Sequence, residues 1–152
     1  MAITKIWTVK SRLDSSLKYI ANPDKTSIQP DIDAVEGVMK YIKNADKTEQ
    51  CKYVKAYNCT TDKAFSEMLE TQEFFGKSGR KNGVLAYHLV QSFKDFETTP
   101  EIAHRCGQEL VERLFADKYE AVIATHVDKV HIHSHIVFNS VNAVTGKMYH
   151  ST

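Results

Sequence analysis

A histidine-rich stretch near the end of the chain constrains the fold most: four of the seven histidines lie within ten residues. Three of them, His131, His133 and His135, are spaced by two, which on a β-strand places three imidazoles on one face. Apolar residues such as Ile136 and Phe138 then take the opposite face. Closely spaced neutral imidazoles are ligands for divalent transition metals. The stretch therefore predicts a strand with a packed face and a metal-binding face, although a solvated histidine run would have the same spacing.

A metal site with three histidine ligands needs one of them from outside this strand. His133 and His135 share a face, and His126 ends the preceding apolar segment, so a hairpin between the two segments would bring it beside them. His131 lies on the same face one step earlier and stays open as a ligand, a phosphate contact or a bystander. Asp128 is expected to hold one of the imidazoles through its other ring nitrogen.

The rest of the chain alternates between strand and helix periodicity. We predict strands at 3–10, 52–58, 84–93, 120–125 and 130–141, and helices at 12–21, 34–43, 62–75 and 99–115. The fold class that follows is α+β, a central antiparallel sheet with helices packed on one face and the metal site on the other. We expect the strands at 3–10, 84–93 and 130–141 to form the centre of that sheet.

Length and composition fit one domain of 152 residues and limit the classes of function. With 20 Lys and Arg against 19 Asp and Glu, a globally basic surface is excluded, but Arg12, Lys18 and Lys25 leave room for a local basic patch. Three cysteines without CxxC spacing suggest neither a disulfide framework nor a thiolate zinc site. Without a membrane span or a signal peptide, we expect a cytoplasmic protein. The end of the chain just after a hairpin turn suggests an N-terminal fragment of a longer protein.

A metal at the histidines could polarise a phosphoryl oxygen or generate hydroxide. A hydrolase would need a general base, for which Glu97, Glu101 and Asp128 are available, and a transesterase would need a nucleophile. No serine or cysteine nucleophile motif is present, so tyrosine is the remaining choice. An internal echo offers two, Tyr19 in LKYIANPDKT and Tyr41 in MKYIKNADKT. Tyr19 is preferred because it closely follows the first strand and has the more basic surroundings.

Three segments together resemble one enzyme family. The histidine segment HVDKVHIHSHIVFNSVN resembles the third motif of conjugative relaxases of the mobilisation (MOB-P) type, in the histidine-hydrophobic-histidine endonuclease superfamily. The first motif, which carries the nucleophilic tyrosine, is similar to TKIWTVKSRLDSSLKYIANPDKT, and the block between them to HLVQSFKDFETTPE. The resemblance spans about residues 3–149. The order, tyrosine first and histidines last, is the reverse of that in rolling-circle initiators, and Ser134 stands in the slot between the last two ligands.

The resemblance implies a DNA relaxase. In this reaction a tyrosine hydroxyl nicks single-stranded DNA at an origin of transfer, forms a 5′-phosphotyrosine link, and the ends are rejoined after transfer of a plasmid or mobile element. Carried over residue by residue, it assigns the metal ligands His126, His133 and His135 and the nucleophile Tyr19. The remaining assignments are Asp128 and Glu97 behind the ligands, and DNA contacts at Arg12, Lys18, Lys25 and His131.

Ligand type and family resemblance also bear on cofactor and partners. Histidine ligation favours a divalent ion with Mn²⁺ as first choice, and Zn²⁺, Co²⁺, Ni²⁺ or Mg²⁺ as alternatives, since Mg²⁺ alone prefers oxygen ligands. The family implies single-stranded DNA, accessory relaxosome proteins and a type IV secretion coupling protein as partners. The alternatives are a metal-dependent phosphodiester hydrolase, a rolling-circle-type initiator without a transfer role, and a non-catalytic metal- or DNA-binding module.

Overall fold

A five-stranded antiparallel sheet forms the framework of the computed structural model, which describes residues 3–10, 30–77, 83–115 and 117–149. The strand order is β1-β3-β5-β4-β2. The elements are β1 (Ile3–Lys10), α1 (Pro30–Ile42), β2 (Val54–Tyr57), α2 (Ala64–Phe74), β3 (Val84–Ser92), α3 (Pro100–Phe115), β4 (Ala121–His126) and β5 (His133–Asn139). The predicted α+β class with an antiparallel sheet is confirmed.

Most element boundaries lie within a few residues of the prediction. β1 is confirmed at both ends, and α1 begins at Pro30, where a proline lacks only an N–H that the first turn would leave unpaired. β5 begins three residues later than predicted, so His131 lies outside the strand. The helix predicted at 12–21 lies outside the described residues. Within the described part of the chain, none of the three helices combines the length and apolar character needed to cross a bilayer.

β5 lies at the centre of the sheet, between β3 and β4. The prediction that β1 is also central was wrong, because among the described strands β1 pairs only with β3 and forms an edge. Burial explains the difference. Every residue of β4 is buried, whereas β1 exposes Ile3, Ile6 and Trp7. The strand with apolar side chains on both faces takes the interior position.

Helices cover both faces of the sheet, which corrects the prediction that they pack on one. On one face, Val111 and Phe115 of α3 pack against Ile123, Ile136 and Phe138. On the other, α1 and α2 pack with side chains of β1, β3, β4 and β5, and the buried members of that cluster are Val9, Val38, Met39, Ile42, Ala64, Met68, Ala86, Val122, Ala124 and Val137. A strand that is apolar on both faces needs cover on both. The face that bears His133 and His135 is therefore partly covered by α1.

Candidate metal and nucleic-acid site

The pairing of β4 with β5 brings the three predicted ligands together on one face. His126 is the register partner of His133, and His135 is that of Ala124. The ring centroids of His126 and His135 are 4.2 Å apart, and those of His133 and His135 are 6.2 Å apart. His126 and His135 are buried, while His133 is half-buried. Two adjacent strands thus place three imidazoles beside one another, as the sequence predicts.

Two of these rings have fixed partners on one nitrogen. His126 Nε2 lies 2.8 Å from the carbonyl oxygen of Ile42, at the end of α1. Because a carbonyl only accepts, Nε2 must donate, which leaves Nδ1 of His126 with a lone pair. His135 Nδ1 lies 2.9 Å from Nε2 of His88. Contacts of this kind orient metal-binding imidazoles in proteins.

His88 is a site residue that the sequence reasoning missed. It lies on β3, where it pairs with Trp7 of β1 and with Val137 of β5, so its side chain shares the face of His135. The alternation of VLAYHLVQSF places His88 on the same strand face as Ala86 and Val90. Only the register between β3 and β5 identifies that face as the histidine face.

Burial keeps the clustered imidazoles neutral. It is the largest cause that lowers the pKa of His135 to about 2 and the pKa of His88 to about 4, and neighbouring imidazoles add to both shifts. Burial also lowers the pKa values of His126 and His133. A buried imidazolium is disfavoured because its charge loses hydration. Neutral imidazoles are the form that binds a metal ion.

The donor set therefore fits a divalent metal, but the side chains are not arranged as a closed coordination site. Among the residues that the structure describes, no three His, Cys, Asp or Glu side chains form a group that could hold a metal ion. One nitrogen of His126 and one of His135 already contact Ile42 and His88. Each ring keeps a second nitrogen for coordination, so the chemistry fits and the side chains would have to turn towards the ion.

Asp128 contacts a cation instead of an imidazole. Its Oδ2 lies 3.5 Å from Nζ of Lys47, in a half-exposed pair. His126, a candidate ligand, donates from Nε2 to the backbone oxygen of Ile42, and the predicted role of Asp128 behind an imidazole stays a prediction. Asp128 still acts at a distance, because its negative charge is one of the lesser influences that raise the pKa values of His126 and His133.

Two other predicted residues lie at the rim. His131 is exposed just before β5; its ring centroid is 4.4 Å from that of His133, and its Nδ1 lies 3.3 Å from Oδ1 of Asp95. Glu97 lies in the exposed turn that joins β3 to α3. The structure thus brings His131 against a candidate ligand and places Glu97 outside the sheet.

One of the two candidate tyrosines stands against the histidines. Tyr41, near the end of α1, is 48% exposed, and its ring meets those of His126 and His135 edge-on, with centroids 5.4 and 5.9 Å away. Nζ of Lys47 lies 5.9 Å from the centroid of the Tyr41 ring. The other candidate and the predicted basic DNA contacts lie outside the described residues; they are Tyr19, Arg12, Lys18 and Lys25.

A buried polar network lies on the opposite face of the two histidine-bearing strands, β4 and β5. Thr125 and Ser134 are register partners on the face opposite the clustered histidines, and their hydroxyl oxygens are 3.0 Å apart. His104 Nδ1 lies 2.8 Å from Oγ1 of Thr125, and Ser134 Oγ donates to the carbonyl oxygen of Ala103 at 3.4 Å. Adjacent residues of α3 therefore bind both hydroxyls, and the network joins α3 to both histidine-bearing strands.

The sequence of this domain matches the MobA/VirD2-like relaxase nuclease domain over residues 41–152. The chain belongs to this family. It is 38% identical over 142 residues to the group II intron-interrupted relaxase LtrB of Lactococcus lactis subsp. cremoris (strain MG1363), which covers 92% of the chain and 25% of LtrB. It is 43% identical over 94 residues to a protein Rlx of Staphylococcus aureus, covering 62% of the chain and 29% of that protein.

Family membership confirms the predicted relaxase class, while the MOB-P type stays a prediction. A second Rlx protein of Staphylococcus aureus is 39% identical over 103 residues, covering 68% of the chain and 31% of that protein. The chain thus spans between a quarter and a third of the length of these relatives. Relaxases of this family generally use a divalent metal ion, and their nuclease domain implies binding of single-stranded DNA.

Proposed function

We propose that the chain is the nicking domain of a DNA relaxase, which cuts one strand of DNA at an origin of transfer and rejoins it after transfer of a plasmid or mobile element. The observation that carries the proposal is the meeting of His126, His133 and His135 on adjacent strands of a relaxase-family domain. Neutral imidazoles carry no positive charge to offset the negative charge of a phosphodiester. A cation bound by these imidazoles would supply that charge.

The proposed cofactor is a divalent metal ion held by His126, His133 and His135. Mn²⁺ is the first choice by ligand type, with Zn²⁺, Co²⁺, Ni²⁺ or Mg²⁺ as alternatives. When bound, such an ion supplies positive charge to a non-bridging phosphate oxygen as negative charge develops there. In the same proposal, Asp128 and Glu97 adjust the electrostatics from a distance, and His131 with the basic residues Arg12, Lys18 and Lys25 contacts the DNA.

The proposed nucleophile is a tyrosine, with Tyr19 as first candidate. Its hydroxyl oxygen attacks the phosphorus of the scissile phosphodiester, and the bond from phosphorus to the 3′ oxygen breaks. The tyrosine loses one proton and the departing 3′ oxygen gains one, so the products are a 5′-phosphotyrosine ester and a free 3′ hydroxyl. Because one phosphoester replaces another, the reverse attack can rejoin the ends without ATP.

Tyr41 is the second candidate nucleophile, supported by one specific observation. Its half-exposed ring meets His126 and His135 edge-on at 5.4 and 5.9 Å between centroids. The Lys47 ammonium near that ring could also offset charge on a phenolate or phosphate. Either tyrosine gives the same covalent product on a different residue, so mutation separates them.

The test incubates the protein and MnCl₂ with single-stranded oligonucleotides that carry its own nick sequence, followed by a denaturing gel. We expect a covalent protein–DNA species that is lost in Tyr19→Phe and retained in Tyr41→Phe. The opposite result moves the nucleophile to Tyr41. Cleavage with two free ends and no adduct would favour a metal-dependent phosphodiester hydrolase, and no cleavage would favour a non-catalytic binding module.

The partners belong to the same proposal. They are single-stranded DNA at the origin of transfer, accessory relaxosome proteins and a type IV secretion coupling protein. A mating assay distinguishes transfer from a rolling-circle role: loss of the nucleophile should abolish transfer of a plasmid carrying the origin but leave its replication intact. Loss of replication instead would favour a rolling-circle-type initiator.

A further inference from the structure

A cavity of about 420 Å³ opens on the histidine face, beside the proposed metal site. Its volume falls within the range of roughly 300–1,000 Å³ that is usual for small-ligand sites. Side chains from β1, α1, β3 and β5 form its wall. Among the described residues, the aromatic and imidazole members of that wall are Trp7, Tyr41, His88, His133 and His135.

Trp7 supplies the largest aromatic ring of this wall. It lies on the edge strand β1 and is 40% exposed. Its ring centroid is 5.7 Å from that of His88, with the ring planes at 49°. An indole that keeps this much surface in a cavity wall can stack on a planar ligand, as aromatic side chains do with the bases of single-stranded nucleic acids. The cavity thus has a stacking platform.

A continuous series of ring contacts joins this platform to the histidine cluster. The centroid of His88 is 5.1 Å from that of His135, and His135 in turn meets Tyr41 edge-on. The two regions adjoin, since His133 and His135 belong both to the cavity wall and to the proposed ligand set. A nucleotide chain at the histidines therefore has an adjoining pocket for a base.

Charge at the cavity suits the same ligand. Lys5 is exposed, lies two residues before Trp7 on the same face of β1, and belongs to the cavity wall. A lysine can contact a phosphate while the neighbouring aromatic ring binds the base. An apolar peptide would use the aromatic wall but has no need for the cation beside it.

We propose that this cavity binds one nucleobase of single-stranded DNA, stacked on Trp7, next to the phosphodiester that reaches the histidines. Lys5 contacts the phosphate on the β1 side of that base. The proposal rests on the function proposed above and names a subsite of the same DNA. It makes Trp7 a substrate-binding residue and places a recognition pocket between the edge strand and α1.

Intrinsic fluorescence gives a direct test, because Trp7 is the single tryptophan in the chain. The probes are a 12-mer of deoxythymidine and a 12-mer of abasic sites with the same number of phosphates. We expect the deoxythymidine oligomer to quench the emission of Trp7 on binding. The abasic oligomer should leave the emission unchanged at concentrations where fluorescence anisotropy reports it bound.

A matched pair of variants tests the contribution to affinity. Trp7→Ala should weaken binding of the deoxythymidine 12-mer by roughly 5- to 100-fold, the effect of one lost base stack, and should change abasic binding by less than about 2-fold. Ile6→Ala is the control, because Ile6 is a neighbouring apolar residue, 43% exposed, on the opposite face of β1. It should leave both affinities unchanged.

Several outcomes would overturn the pocket. The first is that the deoxythymidine oligomer binds without quenching the emission of Trp7. The second is that Trp7→Ala reduces the affinity for both oligomers equally. The third is that Ile6→Ala reduces the affinity for the deoxythymidine oligomer as much as Trp7→Ala does. Quenching by an apolar peptide alone would assign the cavity to a protein partner. The covalent-adduct assay separates this failure from that of the function: an adduct without Trp7 quenching rejects only the pocket, and quenching without an adduct rejects only the nicking reaction.

Discussion

At the scale of single residues, the hydroxyls of Thr125 and Ser134 set the direction of a buried hydrogen-bond network. Both side chains are fully buried. The carbonyl oxygen of Ala103 can only accept, so Ser134 donates to it. Thr125 then donates to Ser134, and Nδ1 of His104 must donate to Thr125. The network thus runs in one direction from α3 through β4 and β5 and back to α3, and it fixes a proton on Nδ1 of His104.

Removal of the middle hydroxyl should therefore destabilise the fold. Thr125→Val keeps the shape of the side chain but leaves a buried donor on His104 and a buried acceptor on Ser134 without partners, which costs roughly 1–3 kcal/mol. Urea unfolding measures the loss. Thr125→Ser is the control, since it keeps the hydroxyl and removes one methyl group, for a loss of about 1 kcal/mol. Equal losses in the two variants would mean that packing, not hydrogen bonding, is what Thr125 contributes.

His104 should also make stability depend on pH. Its pKa is lowered, first by burial and then by the positive charge of Lys55, so the folded pKa lies below the unfolded value of about 6.5. Between these two values the unfolded chain binds more protons, so this contribution is complete above about pH 6.5 and is lost as the pH falls through the folded pKa. We expect His104→Gln to reduce the fall in unfolding free energy between about pH 6.5 and 5. An unchanged fall would exclude His104 as a source of it.

At the scale of elements, the contact of α3 with the sheet depends on a helix glycine. A Cβ on Gly107 would lie 2.3 Å from Cδ1 of Ile123, a side chain that is itself fully buried. The helix therefore approaches β4 more closely than any side chain at that position allows. This close approach is also what brings Ala103 and His104 within reach of the two hydroxyls.

Gly107→Ala should destabilise the protein by about 1–3 kcal/mol through overpacking, despite the better helix propensity of alanine. Ile123→Val removes the methyl group that the new Cβ would meet. In that background we expect the same alanine to be neutral or to stabilise by up to about 1 kcal/mol, the propensity difference. Urea unfolding of the four proteins in this cycle measures the coupling. Destabilisation of the same size in both backgrounds would contradict steric contact with Ile123.

The sequence predicts structure within an element better than it predicts how the elements pair. Periodicity within a segment gave β1 at both ends and grouped His133 with His135, because the geometry of one strand is local. Strand order and register are set by contacts between distant segments, so β1 was wrongly placed at the centre and His88 was missed. The hydrogen-bond partner of His126 could not be predicted from the sequence, because it is the backbone oxygen of Ile42, which every residue type carries.

At the scale of the whole molecule, charge balance limits how DNA can be held. The chain has 20 Lys and Arg and 19 Asp and Glu, a formal net charge of +1. This composition has too little excess positive charge for a broad cationic surface. Attraction to phosphates must therefore come from a few local cations such as Lys5. Stacking in the proposed Trp7 pocket would then contribute a large share of the affinity, and stacking, unlike phosphate binding, releases no counterions.

This balance predicts a shallow salt dependence for binding of the deoxythymidine 12-mer. Contacts to about three phosphates give a slope of log K against log salt near −2, since each contributes about −0.7 on a single strand. Anisotropy titrations over a series of KCl concentrations measure it. Trp7→Ala should lower K at every salt concentration and keep the slope, whereas Lys5→Ala should reduce the slope by about 0.7. A slope steeper than about −5 would mean that phosphate contacts dominate, and a slope that changes in Trp7→Ala would mean that this residue acts through the backbone of the DNA.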